Sequence, residues 1–352
     1  MTQTQPRSDD GFDRIPKVEL HCHVEGTVRP ATVVELARKA GRPLPVDDPN
    51  ELYRYDSLDS FLSIFWLVQE TLVERADWAR IAYESLVDAA AHGLRYREMF
   101  FTPARHLAAG QDLRDIVAGL TEGVEAAEAE TGVRAMLIAD VDRAFGPGPA
   151  RELVERVGEL RAAGKANRII AIGADSTELG VDMRTFAPAF EAARRFGLRR
   201  TCHAGEAVGV GPENIRVALE GLGAERIDHG VAIAEDPELM ARVADARIPI
   251  TVCPTSNVVI ANRFRSLVDH PLLAMRDAGL LVTINTDDPA MMDLDLGEEY
   301  RRVAEAYTLG AEQLGLFALE GIDSTWLDES DRRALRKEFE GNLARLRADE
   351  PA

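Results

Sequence analysis

Residues Lys17–Gly26 read KVELHCHVEG, a short apolar run that ends in two histidines one residue apart, His21 and His23. In a β-strand, residues i and i+2 point to the same face. The pair therefore sets two imidazoles side by side at a strand end, a geometry that suits a metal. Alone it is a weak motif, since surface polarity produces the same pattern. The fold is decided by how often such a run recurs along the chain.

Seven more β-branched runs repeat the opening pattern: LRYREMFFTP, RAMLIADV, RIIAIGADS, RRTCHAGE, RIDHGV, PITVCPTSN and LVTINTDD. Between them lie Ala/Leu/Glu/Arg segments of helical period, such as ADWARIAYESLVDAAAHG, several of them stopped by glycine. Eight strands alternating with helices predict an α/β fold, a (β/α)8 TIM barrel. The connection from about Val24 to Gly93 is unusually long. It carries SLDSFLSIFWLVQETL, with Phe61, Phe65 and Trp66 on a helical pattern. Extra helices after strand 1 are expected there, as a lid or substrate wall, or as aromatics that pack on the barrel. One catalytic domain is expected over residues 13–346, with flexible tails at 1–12 and 347–352.

The chain has 352 residues, 46% of them hydrophobic, enough for one large core. A net charge of −19 argues against nucleic-acid binding, which wants a basic stripe. It leaves room for a small, nearly neutral ligand. Cys22, Cys202 and Cys253 are too few and too scattered for a disulfide framework and read as buried core residues in a reducing compartment. No apolar leader or run of transmembrane length is visible, so a cytoplasmic protein with no membrane partner is expected.

Placed on the predicted strands, the polar residues fall into one pattern. Strand one ends in His21 and His23, strand five in His203 and Glu206, strand six in His229, and strand eight in Asp287 and Asp288. C-terminal strand ends of a barrel converge on the face where active sites sit. The other three histidines, His92, His106 and His270, fall in helix or loop segments and read as ordinary surface or structural residues. His21, His23, His203 and Asp287 form an imidazole-rich set with one carboxylate, suited to Zn²⁺ or another first-row divalent ion. Such an ion brings the pKa of water towards neutrality. Glu206 is placed as a general acid or base, and His229 to hold or deprotonate the water. Asp288 follows a ligand and in a strand would face away, but at the rim it can turn to a substrate. None of the four lysines lies in a predicted strand, which disfavours the lysine-bridged binuclear sites of other barrel hydrolases. The H-x-E plus P-C-x-x-C pattern of cytidine-type deaminases is absent, as are G-x-S-x-G, P-loop and Rossmann fingerprints.

PKVELHCHVEGT, ARIAYESLVDAAAHGLRYREMFFTP, HAGEAVGVGPENIRVALEGLGAERIDHGV, VCPTSN and TINTDDP together resemble the adenosine/adenine deaminase family, from about Ile15 to Phe339. The resemblance implies a (β/α)8 barrel with one catalytic zinc per chain. It implies hydrolysis of the 6-amino group of a purine to a 6-oxo group, with release of ammonia. By the same resemblance His21, His23, His203 and Asp287 would bind the zinc. Glu206 would protonate ring N1, His229 would position the water, and Asp288 would bond ring N7.

Two positions depart from the adenosine-deaminase pattern. Glu25 stands where H-x-D-G is usual, and Glu178, in DSTE, stands at the glycine of D-L-A-G. Both resemble the adenine-deaminase branch, as does Asp228. TDDPAMMDLDLGEEY and GIDSTWLDESDRRALRKEF resemble adenosine deaminases instead. Adenosine or 2′-deoxyadenosine is the leading expected substrate, with adenine or a modified adenine nucleoside as the alternative. A non-catalytic purine-binding member is the more distant reading. Glu25, Glu178, Phe61 and Phe65 are the candidate substrate contacts beside Asp288.

Overall fold

The computed structural model describes residues 11–349 except 47, 56 and 57. Of the expected tails, residues 1–10 and 350–352 lie outside the described residues. Eight strands run in one parallel sheet in sequence order: β1 (Lys17–Glu19), β2 (Leu94–Phe101), β3 (Arg134–Asp142), β4 (Ile169–Asp175), β5 (Arg199–Ala204), β6 (Arg226–His229), β7 (Ile250–Val252) and β8 (Val282–Ile284). Strands β2 to β4 are buried along almost their whole length, as a parallel sheet covered on both faces requires. The expected TIM barrel is the observed fold.

The seam between β8 and β1 is closed at the rim rather than along a ladder. Asp287 N donates to His21 O at 3.1 Å, and His23 N donates to Asp287 O at 2.9 Å. Below these bonds side chains replace the ladder. Asn285 Oδ1 accepts Leu20 N at 2.8 Å, and Glu19 Oε1 accepts Thr286 N at 2.9 Å. Strands β1 and β8 are three residues each, shorter than the runs VELHCH and LVTINTDD predict. His21, His23 and Asp287 sit just past the regular strands, where the backbone is free to aim them.

The β1–β2 connection holds three helices, α1 (Pro30–Ala40), α2 (Leu58–Thr71) and α3 (Arg75–Ala90). Helix α3 packs along α5 (Leu113–Thr131), beyond the short α4 (Ala104–Ala108). Helix α2 lies over the rim and buries Phe61 and Phe65. Between the sheet and α3, Arg97 pairs with Glu19 at 2.5 Å and donates to Ser85, and inside the barrel Arg226 pairs with Glu98 at 2.5 Å. A fully buried ion pair is tolerated only when each charge has its partner. The three cysteines are buried and unpaired. No helix among the described residues is long and apolar enough to cross a membrane.

Candidate active site

The seven rim residues read from the strand ends are brought together. His23 Nε2 lies 3.1 Å from His203 Nε2 and 3.4 Å from Asp287 Oδ1, and His21 Nε2 lies 3.2 Å from that same oxygen. His229 Nε2 is 3.9 Å from Asp287 Oδ2 and 3.7 Å from Glu206 Oε2. Asp287 and Asp288 both face the cavity although they are adjacent. The alternation is broken because Asp287 takes a left-handed backbone, φ 63°, a conformation uncommon for a side-chain-bearing residue. Gly26 makes space for Asp288, since a Cβ there would collide with its carboxylate.

The donor set fits a divalent metal. His21 Nε2 is buried and makes no hydrogen bond, and ring nitrogens of His21, His203 and His229 crowd one carboxylate. Burial, then the neighbouring imidazoles, holds His203 well below the ordinary histidine range. Burial also pushes His23 down to about 4, against the pull of Asp287. Both rings are therefore neutral with lone pairs to offer, as metal ligation requires. The far nitrogens face acceptors. His23 Nδ1 is 3.8 Å from Asp140 Oδ2, and His203 Nδ1 is 3.8 Å from Asp228 Oδ2. His21 Nδ1 is 3.1 Å from Thr251 Oγ1, whose hydroxyl donates to Asp228 Oδ1. Ser256 Oγ donates to Asp287 Oδ2 at 2.6 Å. Such outer partners orient metal-binding side chains.

Glu206 follows Gly205, whose φ of +76° and lack of room for a Cβ demand glycine. Burial, then the charges of Asp287 and Glu178, pushes the Glu206 carboxyl up to about 8. Asp288 is pushed well up by burial and by Asp287. Both acids keep a proton where an exposed carboxyl would lose it.

The two departures sit differently about the cavity. Glu178 lines the cavity, yet its carboxylate is occupied by the protein. It accepts Gly205 N at 2.8 Å, Glu206 N at 2.9 Å and Asn214 Nδ2 at 2.9 Å. Glu25 is fully buried beneath the wall. It accepts Thr102 N at 2.9 Å and Gln69 Nε2 at 3.4 Å, and Gln69 is the residue that reaches the cavity. Phe61, Leu62, Phe65 and Trp66 form the roof. The Phe65 ring stands edge-on to His23 at 6.3 Å, and Arg105 lies 4.0 Å over Trp66.

Sequence reasoning passed over several site residues. Asn257 and His270 are buried and bonded in line behind His229; the signal was VCPTSN, a motif with no residue role attached. Asp140, one strand-pair away from any histidine in the chain order, carried no signal. His106 is buried against Trp78, at 4.7 Å between rings, and is structural.

A family model described as adenosine deaminase matches residues 16–341. The chain is 37% identical over 334 residues to an adenine deaminase of Streptomyces coelicolor, covering 94% of this chain and 96% of that protein. Among solved structures, an adenine deaminase from Arthrobacter aurescens superposes with a TM-score of 0.87 at 32% identity, over 94% of this chain and 99% of that one. An amidohydrolase from Burkholderia ambifaria with bound zinc superposes with a TM-score of 0.87 at 31% identity, over 99% and 98%.

Proposed function

Because this chain belongs to the adenosine deaminase family, metal-dependent hydrolases that act on purine amino groups, we propose that its substrate is free adenine, converted to hypoxanthine and ammonia. The observation that carries this reading is the pair of departures from the adenosine pattern: Glu25 and Glu178 stand at positions that resemble the adenine-deaminase branch, and Glu178 lines the cavity with its carboxylate turned to Gly205 N and Glu206 N. The adenine deaminases among its relatives support the same choice. The expected preference for adenosine gives way to adenine.

His21, His23, His203 and Asp287 would hold one zinc ion, the metal bound in the Burkholderia neighbour. When bound, it supplies the Lewis acidity that makes water a nucleophile at neutral pH. The protein's own residues do the rest. Glu206 carries a proton to ring N1 as oxygen adds to C6, and the proton left on that oxygen moves to the 6-amino group, which leaves as ammonia. Asp288 keeps its proton and donates it in a hydrogen bond to ring N7. His229 orients the attacking water through Nε2. The Phe61–Phe65 roof excludes bulk water, which strengthens each of these interactions.

The test is ammonia release from a purine panel, with metal analysis of the same samples. Adenine should exceed adenosine and 2′-deoxyadenosine by about 10-fold or more in kcat/KM. About one zinc per chain is expected, lost in His21→Ala and His203→Ala. A preference for a nucleoside, or no ammonia from any purine, would overturn the reading.

A further inference from the structure

We propose that Asn257 and His270 are positioning residues that lock His229 as its Nε2–H tautomer, so that His229 meets the reaction as a hydrogen-bond donor and not as a base. The reasoning starts from a backbone group whose polarity is not in question. Leu272 N–H donates to His270 Nδ1 at 3.1 Å. That nitrogen must hold a lone pair, so the ring hydrogen of a neutral His270 sits on Nε2. His270 Nε2 is 3.1 Å from Asn257 Oδ1 and donates to it. The amide is thereby oriented with Nδ2 towards His229 Nδ1, 3.0 Å away. An amide nitrogen only donates, so His229 Nδ1 accepts and its hydrogen is on Nε2.

Amide and imidazole orientations are ordinarily assigned from their partners. Here the chain of partners ends on a main-chain N–H, and only one polarity satisfies every link. The opposite polarity would set two donors face to face among residues that are 4%, 0% and 1% exposed. A buried donor left without an acceptor in such a place loses its hydration with nothing in return. The His270 backbone is itself held, since Tyr307 Oη donates to its carbonyl at 2.7 Å. At the other end, the groups nearest His229 Nε2 are carboxylate oxygens of Glu206 and Asp287, at 3.7 and 3.9 Å. Those are acceptors and match an Nε2–H.

Resting on the purine-deaminase reading, the consequence for the reaction is a division of labour. The His229 lone pair is engaged by Asn257, so Glu206 gives its own proton to ring N1 and the carboxylate so formed takes the proton of the attacking water. His229 Nε2–H steadies the oxygen that adds to C6.

The test uses the full chain with ¹⁵N-labelled histidine and reads the ring nitrogens of His229, assigned by loss of the signals in His229→Gln. Wild type should show a bare Nδ1 and a protonated Nε2. In Asn257→Asp the new carboxylate accepts from Nδ1–H, so the two nitrogens should exchange roles. With that exchange kcat on adenine should fall about 10²-fold or more, as it does when a catalytic histidine is held in the wrong tautomer, with KM within about 3-fold. His270→Gln can still donate to Asn257 Oδ1 and should keep the wild-type tautomer, whereas His270→Ala should give a mixture. A bare Nε2 in wild type would overturn the proposal whatever the variants do. So would an Asn257→Asp protein with both tautomer and kcat unchanged. If wild type turns over no purine, the functional reading falls, and the nitrogen shifts still decide the tautomer.

Discussion

Glu178→Ala is the substitution that best separates the observed geometry from the expectation that this carboxylate touches the substrate. Glu178 accepts three hydrogen bonds, from Gly205 N, Glu206 N and Asn214 Nδ2. Bonds to a charged acceptor contribute about 1.5–3 kcal/mol each. The truncated site opens onto the cavity, where water can replace part of this, so a loss of about 2–4 kcal/mol of stability is expected. The larger effect is on Glu206, whose own amide is one of the three donors. A catalytic group displaced by about 1 Å costs about 10²-fold in rate. Glu178→Ala should therefore lower kcat on adenine by about 10- to 100-fold, with KM nearly constant and zinc retained. Steady-state kinetics on Glu178→Ala, Glu206→Gln and the double variant read the coupling. If Glu178 acts through Glu206, the double variant should be no worse than Glu206→Gln by more than about 3-fold, a strong departure from additivity. Fully multiplicative losses would refute the reasoning. A large rise in KM, or a gain of adenosine turnover at unchanged kcat, would restore the direct substrate contact.

Glu206→Gln should keep its metal and lose about 10²-fold or more in kcat. The carboxyl is held up at about 8, so its proton is available below that pH and lost above it. The wild-type fall in kcat/KM above about pH 8 should vanish in the variant; persistence of the same limb would assign it elsewhere. Phe65→Ala should raise KM for adenine about 10-fold, read beside thermal unfolding; a lower melting temperature with KM unmoved would make Phe65 a packing residue only. Glu299 is buried, with one oxygen on Thr255 N and the other without a partner, and burial raises it from 4.5 to about 7. The unfolded chain ionises first, so stability is present below about pH 4.5 and lost as pH rises to about 7. Glu299→Gln should recover on the order of 3 kcal/mol at about pH 8 and little at about pH 4.5 in urea unfolding; an equal effect at both would refute it.

The barrel was legible because burial on both faces forces apolar strand runs, and each run kept its pattern. The rim residues were legible because strand ends of one fold meet at one place. The partners of Glu25 and Glu178 were not legible for a physical reason. Their positions follow from the chain, but where a long carboxylate turns depends on which backbone amides lie within reach, and Thr102, Gly205 and Glu206 come from other strands. His270 was dismissed for the same reason, since a loop histidine gains its meaning only from Asn257 across the fold. The left-handed backbone of Asp287 has no signature in TDD, so the simultaneous use of both aspartates needed coordinates.

The seam between β1 and β8 also sets a timetable. Leu20 and Asn285 bond across 265 residues of chain, and a ribosome adding about 5–20 residues per second needs about 13–50 s to make that stretch. Throughout that interval His21 and His23 are already synthesised, while Asp287 does not yet exist. The ion pocket is thus among the last features of the molecule to be completed. With the proposed ligands, a chain that ends before Asp287 would lack the full set with which to draw metal from the cell.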